Sequence, residues 1–463
     1  MKTANFLLAA MLMMVSIASH AAETAGVVGY MSGTLVAQRQ DGTIKVLAGK
    51  SEVFAGDMLI TAKDSYANVK LKDGSQMTLR PNSNLRIENF QFTKEEPQKD
   101  NMLLSLLKGG FRTVTGMIGK RGNADAYKVR AASATIGIRG TDFTSRLCIT
   151  KGCKDDEDES VTQAVANAPV TVPVVIGRVM KVQGELSAKG GDDKVRKLAL
   201  GARIYEGDVL TTGAGSYAIV AFRDEGRVSL QANTVFQVEK FKYDKVAAQE
   251  NAVLRLFKGG VRVVTGLIGR AKHDNYQFRV SSATIGIRGT GFDAWCNGPC
   301  ANGSDNPGAT QDNPLDGAGV YVWGGEVVLV TPGGSFVVAI QQAAIIARDT
   351  GKPIRVIAVP SSIIDNATPR PDTVPVNIEE LFGSDANAGD AGLYVTVHDG
   401  EVVLSKGDKS LDLGAGETGF AQDDILARLA KAPEFMDGDP KMDPFGEGLK
   451  DSGAGMTDAG CKL

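Results

Sequence analysis

Ser133-Ala134-Thr135-Ile136-Gly137-Ile138-Arg139-Gly140-Thr141 returns residue for residue as Ser282-Ala283-Thr284-Ile285-Gly286-Ile287-Arg288-Gly289-Thr290. With a period of two, Ile136 and Ile138 point to one side and Gly137 and Arg139 to the other, so the nonapeptide reads as a strand. The match continues outward. Lys108-Gly109-Gly110-Phe111-Arg112 reappears as Lys258-Gly259-Gly260-Val261-Arg262, and both run on into Val-Thr-Gly-x-Ile-Gly. Gly56-Asp57-Met58-Leu59-Ile60-Thr61 recurs as Gly207-Asp208-Val209-Leu210-Thr211-Thr212, and Ser65-Tyr66-Ala67 as Ser216-Tyr217-Ala218. The offset stays near 150 residues throughout. A period of that length is a duplicated domain, not a solenoid unit.

Both copies read as all-β. The 463 residues include 55 glycines against 16 prolines, and the glycines separate short Val/Ile/Leu runs, the punctuation of strands joined by tight turns. In the first copy Val69 and Leu71 alternate with Asn68 and Lys70, Asp73-Gly74 turns the chain, and Met77 and Leu79 resume the alternation. In the second, Val220 and Phe222 face Val228 and Leu230 across Asp224-Glu225-Gly226, where an added residue predicts a longer or bulged turn. Two later stretches, Val320 to Leu329 and Leu393 to Leu404, each read as strand, glycine turn, strand. A short helix is expected over Ile425 to Ala430, then a disordered tail within 422–463. Strands this short fit a sandwich or a rolled β-solenoid.

The N-terminus has the layout of a secretory signal: Lys2, an apolar stretch from Phe6 to Ala18, and small residues Ser19 and Ala21 at the positions a signal peptidase reads. Cleavage is expected after Ala21, leaving no transmembrane span, since Ser335 to Ala347 is short and broken by Gln341 and Gln342. Cys148 and Cys153 follow one copy and Cys296 and Cys300 the other. In an oxidising compartment each pair is expected to close a local disulfide, with Cys461 left over. A metal site needs four clustered ligands and is not expected.

These residues resemble the FecR family, whose periplasmic domain carries a Gly-Asp-x-Leu-x-Thr element, an Asp-Gly-Ser hairpin and an Arg-Gly-Thr-x-Phe strand. The first copy (26–150) supplies them at Gly56 to Thr61, Asp73 to Ser75 and Arg139 to Phe143. The second (176–350) supplies the first and last at Gly207 to Thr212 and Arg288 to Phe292. The family strand is usually followed by a Val-x-Val-x-x-Gly-x-Val unit, which appears only at 319–348 and 393–421. This suggests nesting, with the second copy inserted in the first and 390–421 completing the first sheet. The resemblance implies a sensory or signalling role. FecR itself carries a cytoplasmic sigma-factor-binding segment before its membrane helix; only a few residues precede the apolar stretch here, so that segment is expected to be missing.

Catalytic patterns are scarce. After cleavage His273 and His398 remain, without HExxH or triad context. Ser105-Leu106-Leu107-Lys108 matches Ser-x-x-Lys, but the second copy has Arg255 where a nucleophile would stand. Gly42 to Ser51 spaces its glycines wrongly for a phosphate loop, and the acids from Asp155 to Glu159 lack the pattern of a calcium loop. We therefore expect no enzyme and no cofactor. The candidate binding residues are Arg139, Arg288, Arg112 and Arg262. Arg139 and Arg288 sit beside a glycine floor, and their alternative is a structural pairing with Asp57 and Asp208. From 108 to 146 there are eight basic residues (Lys108, Arg112, Lys120, Arg121, Lys128, Arg130, Arg139, Arg146) against Asp125 and Asp142. The expected function is an exported binding and scaffolding module recognising an envelope protein or a cell-wall or lipid polymer, with β-augmentation at exposed edges as one means; nucleic acid is not expected.

Overall fold

A computed structural model describes residues 23–121, 123, 125–132, 134–156, 173–244, 249–365, 367–436 and 442. The signal segment, most of the acidic run at 155–159, Cys461 and the end of the tail lie outside the described residues. The chain forms two compact units, 1–165 with 439–463 and 166–438.

In the first unit the organising element is the long strand Asn101–Val114. Its first half pairs with Asn84–Gln91 on one side and, in parallel, with Tyr127–Ala131 on the other. Its second half pairs with Gln76–Leu79 and with the later part of Ala134–Cys148. The strand therefore belongs to two sheets and bends between them at Gly109-Gly110. Gly109 has φ 71°, and a Cβ there would lie 2.7 Å from the Ser83 Cα. Only glycine fits such a corner without strain. Strand Ala134–Cys148 turns the same corner: residues up to Gly137 pair with Tyr127–Ala131, those from Asp142 with Asn101–Val114, and Gly140 between them has φ 62°. The Lys-Gly-Gly and Ile-Arg-Gly-Thr motifs thus encode bends that roll one sheet into a sandwich. Buried Leu59, Leu85, Ile87, Leu104, Val129 and Ile136 fill one inner face; Val69, Met77, Phe111 and Phe143 fill the other, with the two phenylalanine rings 5.9 Å apart, edge to face. Each such side chain contributes about 1.5–3 kcal/mol by leaving water.

The second unit repeats this plan. Asn251–Val264 bends at Gly259 (φ 85°), pairing with Val235–Lys242 and Tyr276–Val280 in one half and with Arg227–Leu230 and Ala283–Cys296 in the other. It then adds what the first copy's stretch to Cys148 does not have: Ala318–Thr331 runs antiparallel along Ala283–Cys296, followed by Gly334–Val338, Ala343–Ile346 and Pro353–Val356. Gly392–Lys406, Lys409–Gly414, Thr418–Gln422 and Ile425–Leu429 form a further meander in this unit.

Four sequence expectations change. The hairpin at 222–226 has no added residue: Phe222 N–H bonds the Gly226 carbonyl at 2.8 Å as Leu71 N–H bonds that of Ser75, and Glu225 (φ 68°) takes the left-handed place of Gly74 (φ 87°). The glycines at 324–325 and 400 do not reverse the chain. Each lies inside one continuous strand, Ala318–Thr331 and Gly392–Lys406, because a left-handed glycine inside a strand bends it when both halves find partners. Ile425–Leu429 is a strand, not a helix, since the exposed edge of Thr418–Gln422 supplies its ladder. Asn68, expected outward, is fully buried and donates to Thr78 Oγ1 at 3.2 Å.

The Asp-Gly-Ser hairpin does more than turn. Asp73 Oδ2 accepts from Ser75 Oγ at 2.7 Å and from the Ile118 N–H at 3.3 Å, while Ser75 Oγ accepts from the Gly116 N–H at 2.8 Å. It thereby pins the Val-Thr-Gly-x-Ile-Gly segment. In the second copy burial pushes Asp224 up to about 6 despite backbone donors from Gly226 and Ile268.

Candidate functional site

Cys148 and Cys153 are joined as a disulfide, as are Cys296 and Cys300, with Cα atoms 4.8 and 5.2 Å apart. No described group of three or more metal-ligating side chains forms, and no described helix is long and apolar enough to cross a membrane.

The acceptors expected for Arg139 and Arg288 are engaged elsewhere. Asp57 faces Arg39 at 3.6 Å and accepts from the Phe54 N–H; Asp208 holds Arg196 at 2.7 and 2.5 Å and accepts from the Tyr205 N–H. Both arginines come from the preceding hairpin, so the repeated Gly-Asp closes its own turn. Arg139 is exposed. Arg288 lies across from Glu326 in the backbone register, and its side chain falls outside the described residues.

Arg112 and Arg262 are in ion pairs. Arg112 grips Asp142 with two bonds, of 3.0 and 2.8 Å. Arg262 is buried, bonding Asp293 at 3.2 Å and the Thr368 carbonyl at 3.0 Å. Burial drives the Asp293 carboxyl up to about 6 although Arg262 and the Trp323 N–H, 2.9 Å away, oppose the shift.

Of the first copy's eight basic residues, Arg121 bonds Asp100 and the Thr93 carbonyl, and Arg146 is buried against the Cys153 carbonyl. Lys108 is half-buried on Asn101–Val114, and the other four form a group on and beside the paired strands Tyr127–Ala131 and Ala134–Cys148. Lys128 stands opposite Gly137 and Arg130 opposite Thr135; Arg139 follows on the same face, and Lys120 packs beside Gly140. The glycine floor leaves these cations uncovered. Lys128 and, more weakly, Arg139 hold Asp125 below the usual carboxylate range. In the second copy Gln277 replaces Lys128, and Glu239 bonds both Arg279 (2.9 Å), the counterpart of Arg130, and Arg255 (2.5 Å). Glu88, the first copy's counterpart of Glu239, lies 3.9 Å from Arg86 instead, and of the four cation positions only that of Lys128 becomes uncharged in the second copy, where Arg270, Arg279 and Arg288 stand for Lys120, Arg130 and Arg139.

A second charged site lies within the second unit. Glu417, almost fully buried, contacts Arg178, Arg203 (2.6 Å) and Arg428 (2.9 Å) and accepts from the Gly414 N–H at 3.0 Å. Arg203 also reaches Asp412 (2.6 Å) and Glu401 (3.2 Å). Burial alone would raise Glu417; the three guanidiniums outweigh it and lower its pKa. Nothing in the repeat marks this cluster, because Glu417 lies more than 200 residues from Arg178 and Arg203.

The FecR protein family model matches residues 57–168 and 208–304, the two copies in turn. The chain carries two FecR domains. Both disulfides lie within those matched spans. No curated protein matches the chain. Among solved structures, two crystal structures of a protein from Parabacteroides distasonis ATCC 8503, described as an anti-sigma factor, match at 18% and 17% identity, each with a TM-score of 0.23 over 31% of this chain. The chain spans 57% of the length of those solved chains.

Proposed function

We propose that the chain is an exported, non-catalytic binding and scaffolding module whose first FecR domain recognises an anionic polymer of the cell envelope. The observation that carries this reading is the outward group Lys120, Lys128, Arg130 and Arg139, opposed by Asp125 and standing on a glycine-floored strand face. Side chains held on one sheet face present several cations within about a Debye length of one another, so they act on a repeating anion together. In the second FecR domain, which has the same fold, Gln277 stands for Lys128 and Glu239 pairs with Arg279, the counterpart of Arg130, so the corresponding face has fewer unpaired cations. The two disulfides support an extracytoplasmic setting.

The test is co-sedimentation of the full chain with murein sacculi and with vesicles containing anionic lipid, at low and high salt. A cation near an anionic surface contributes about 1 kcal/mol, so Arg130→Gln with Arg139→Gln should weaken binding roughly 30-fold. Undiminished binding to every anionic target would refute the assignment. The FecR match supports a second reading, a sensory or signalling component of the envelope. Capture of a signalling receptor or secretion channel from envelope extract, with no polymer bound, would favour it.

A further inference from the structure

Residues 367–374, Ala-Thr-Pro-Arg-Pro-Asp-Thr-Val, cross the outer face of the second FecR domain, extended at Arg370 and then closing one 3-10 turn over Pro371–Thr373. The contacts have one direction. Arg262 donates to the Thr368 carbonyl (3.0 Å), Ser229 to that of Pro369 (2.8 Å), and Arg227 to those of Pro371 (3.3 Å) and Val374 (2.8 Å). Arg370, with φ −67° and ψ 136°, has polyproline-II geometry and lies 3.8 Å over the Trp323 ring. The face thus offers donors to main-chain carbonyls and an aromatic platform to one cation. A segment in which prolines flank an arginine matches that offer, because proline has no N–H to satisfy and stiffens the chain beforehand. The donors are built in. Ser229 and Arg262 are buried, and Asp293 fixes both Arg262 and the Trp323 indole. The first domain has Gln76 and Thr78 at the places of Arg227 and Ser229. Beside the segment a cleft of about 190 Å3 opens, lined by Gln231, Asp293, Trp295, Leu315 and Ile363, with room for one more side chain.

We infer that this face, formed by Arg227–Leu230, Asn251–Val264 and Ala318–Thr331, is a docking site for a proline-rich segment of a partner protein that bears arginine between prolines and turns after it, and that residues 367–374 are its tethered occupant. Proline-rich peptides bind aromatic-lined grooves because their backbone is ordered beforehand; here donors to the carbonyls and a cation stacked on Trp323 add to that. A tethered occupant competes at an effective concentration in the millimolar range, so the intact chain binds a free peptide weakly until the tether is displaced.

The test uses the full chain with 367–374 replaced by eight Gly/Ser residues, and a synthetic peptide of residues 367–376. Calorimetry and the emission of Trp323 and Trp295, the two tryptophans of the chain, give the readout. The replaced chain should bind the peptide at least tenfold more tightly than the intact chain. A peptide carrying Arg370→Ala should lose at least tenfold. A folded replacement chain with the affinity of the intact one, or with none for either peptide, overturns the proposal. If the replacement does not fold, Arg370→Ala in the intact chain decides: a red shift of tryptophan emission together with tighter peptide binding supports the site, and unchanged emission with no peptide binding overturns it.

Discussion

Glu417→Gln changes one atom and removes the only almost fully buried negative charge among three guanidiniums. Arg178, Arg203 and Arg428 have side chains 7, 9 and 12% exposed and share Glu417 between them. The remaining carboxylates, Asp412 and Glu401, are about half exposed, and both contact Arg203. After the substitution Arg178 and Arg428 therefore lose their compensating charge, and a glutamine NH2 group is turned toward at least one of them. Leaving a buried charge uncompensated costs about 3–5 kcal/mol. For a unit of this size each kcal/mol moves the melting temperature about 2–4 °C, so a fall of roughly 6–20 °C is expected in calorimetry. Asp412→Asn, in a half-exposed pair, should cost about 1 kcal/mol or less. The pH dependence gives the sign. The folded pKa of Glu417 is lowered, so its contribution is fully present above the unfolded value of about 4.3 and is lost as pH falls through the folded value. The gap between variant and parent should narrow in acid. A Glu417→Gln chain melting within about 1 kcal/mol of the parent at pH 7, or a gap that persists unchanged in strong acid, would refute this account of the cluster.

Gly259→Ala places a Cβ 2.7 Å from the Thr234 Cα at φ 85°, and should destabilise the second unit by about 2 kcal/mol or more in urea melts. Arg139→Gln, at an exposed side chain, should leave the melting temperature within about 1 °C while weakening binding to anionic polymer. Asp293 binds its proton more tightly folded (about 6) than unfolded (about 3.9), so it subtracts stability as pH rises from about 4 to 6. The melting profile of Asp293→Asn should lack that decline. Nesting of the second copy within the first is our proposal from the sequence pattern; it predicts that after proteolysis in the linkers 390–421 stays with 26–150, and its free dissociation would end the idea.

The duplication and the β class were legible because they depend on period-two alternation and on long identical strings, both of which are local. The function of a glycine inside those strings was not. A left-handed glycine reverses the chain in a hairpin and bends it at a sandwich corner, and the residues around it look alike in both cases. At Gly324-Gly325 the outcome is decided by Ala283–Cys296, which offers a ladder to both halves of Ala318–Thr331. Ile425–Leu429 failed for the same reason: its short apolar spacing suits helix or strand, and the neighbouring edge chose.

The candidate site shows a subtler limit. Arg112 and Arg262 occupy equivalent positions, yet aligning the copies puts Asp142 against Gly291 and Asp293 against Thr144, so the acids do not coincide. In the sheet they do the same work. Asp293 stands directly across from Arg262, whereas Thr144 stands across from Arg112 and Asp142 reaches it along the diagonal. Positions two apart on a strand share a face, and a guanidinium reaches either. The arginine–carboxylate pair is therefore specified by the face and not by the column of an alignment. Asp293, directly opposite its arginine, also accepts from the Trp323 indole and so holds the ring on which Arg370 rests.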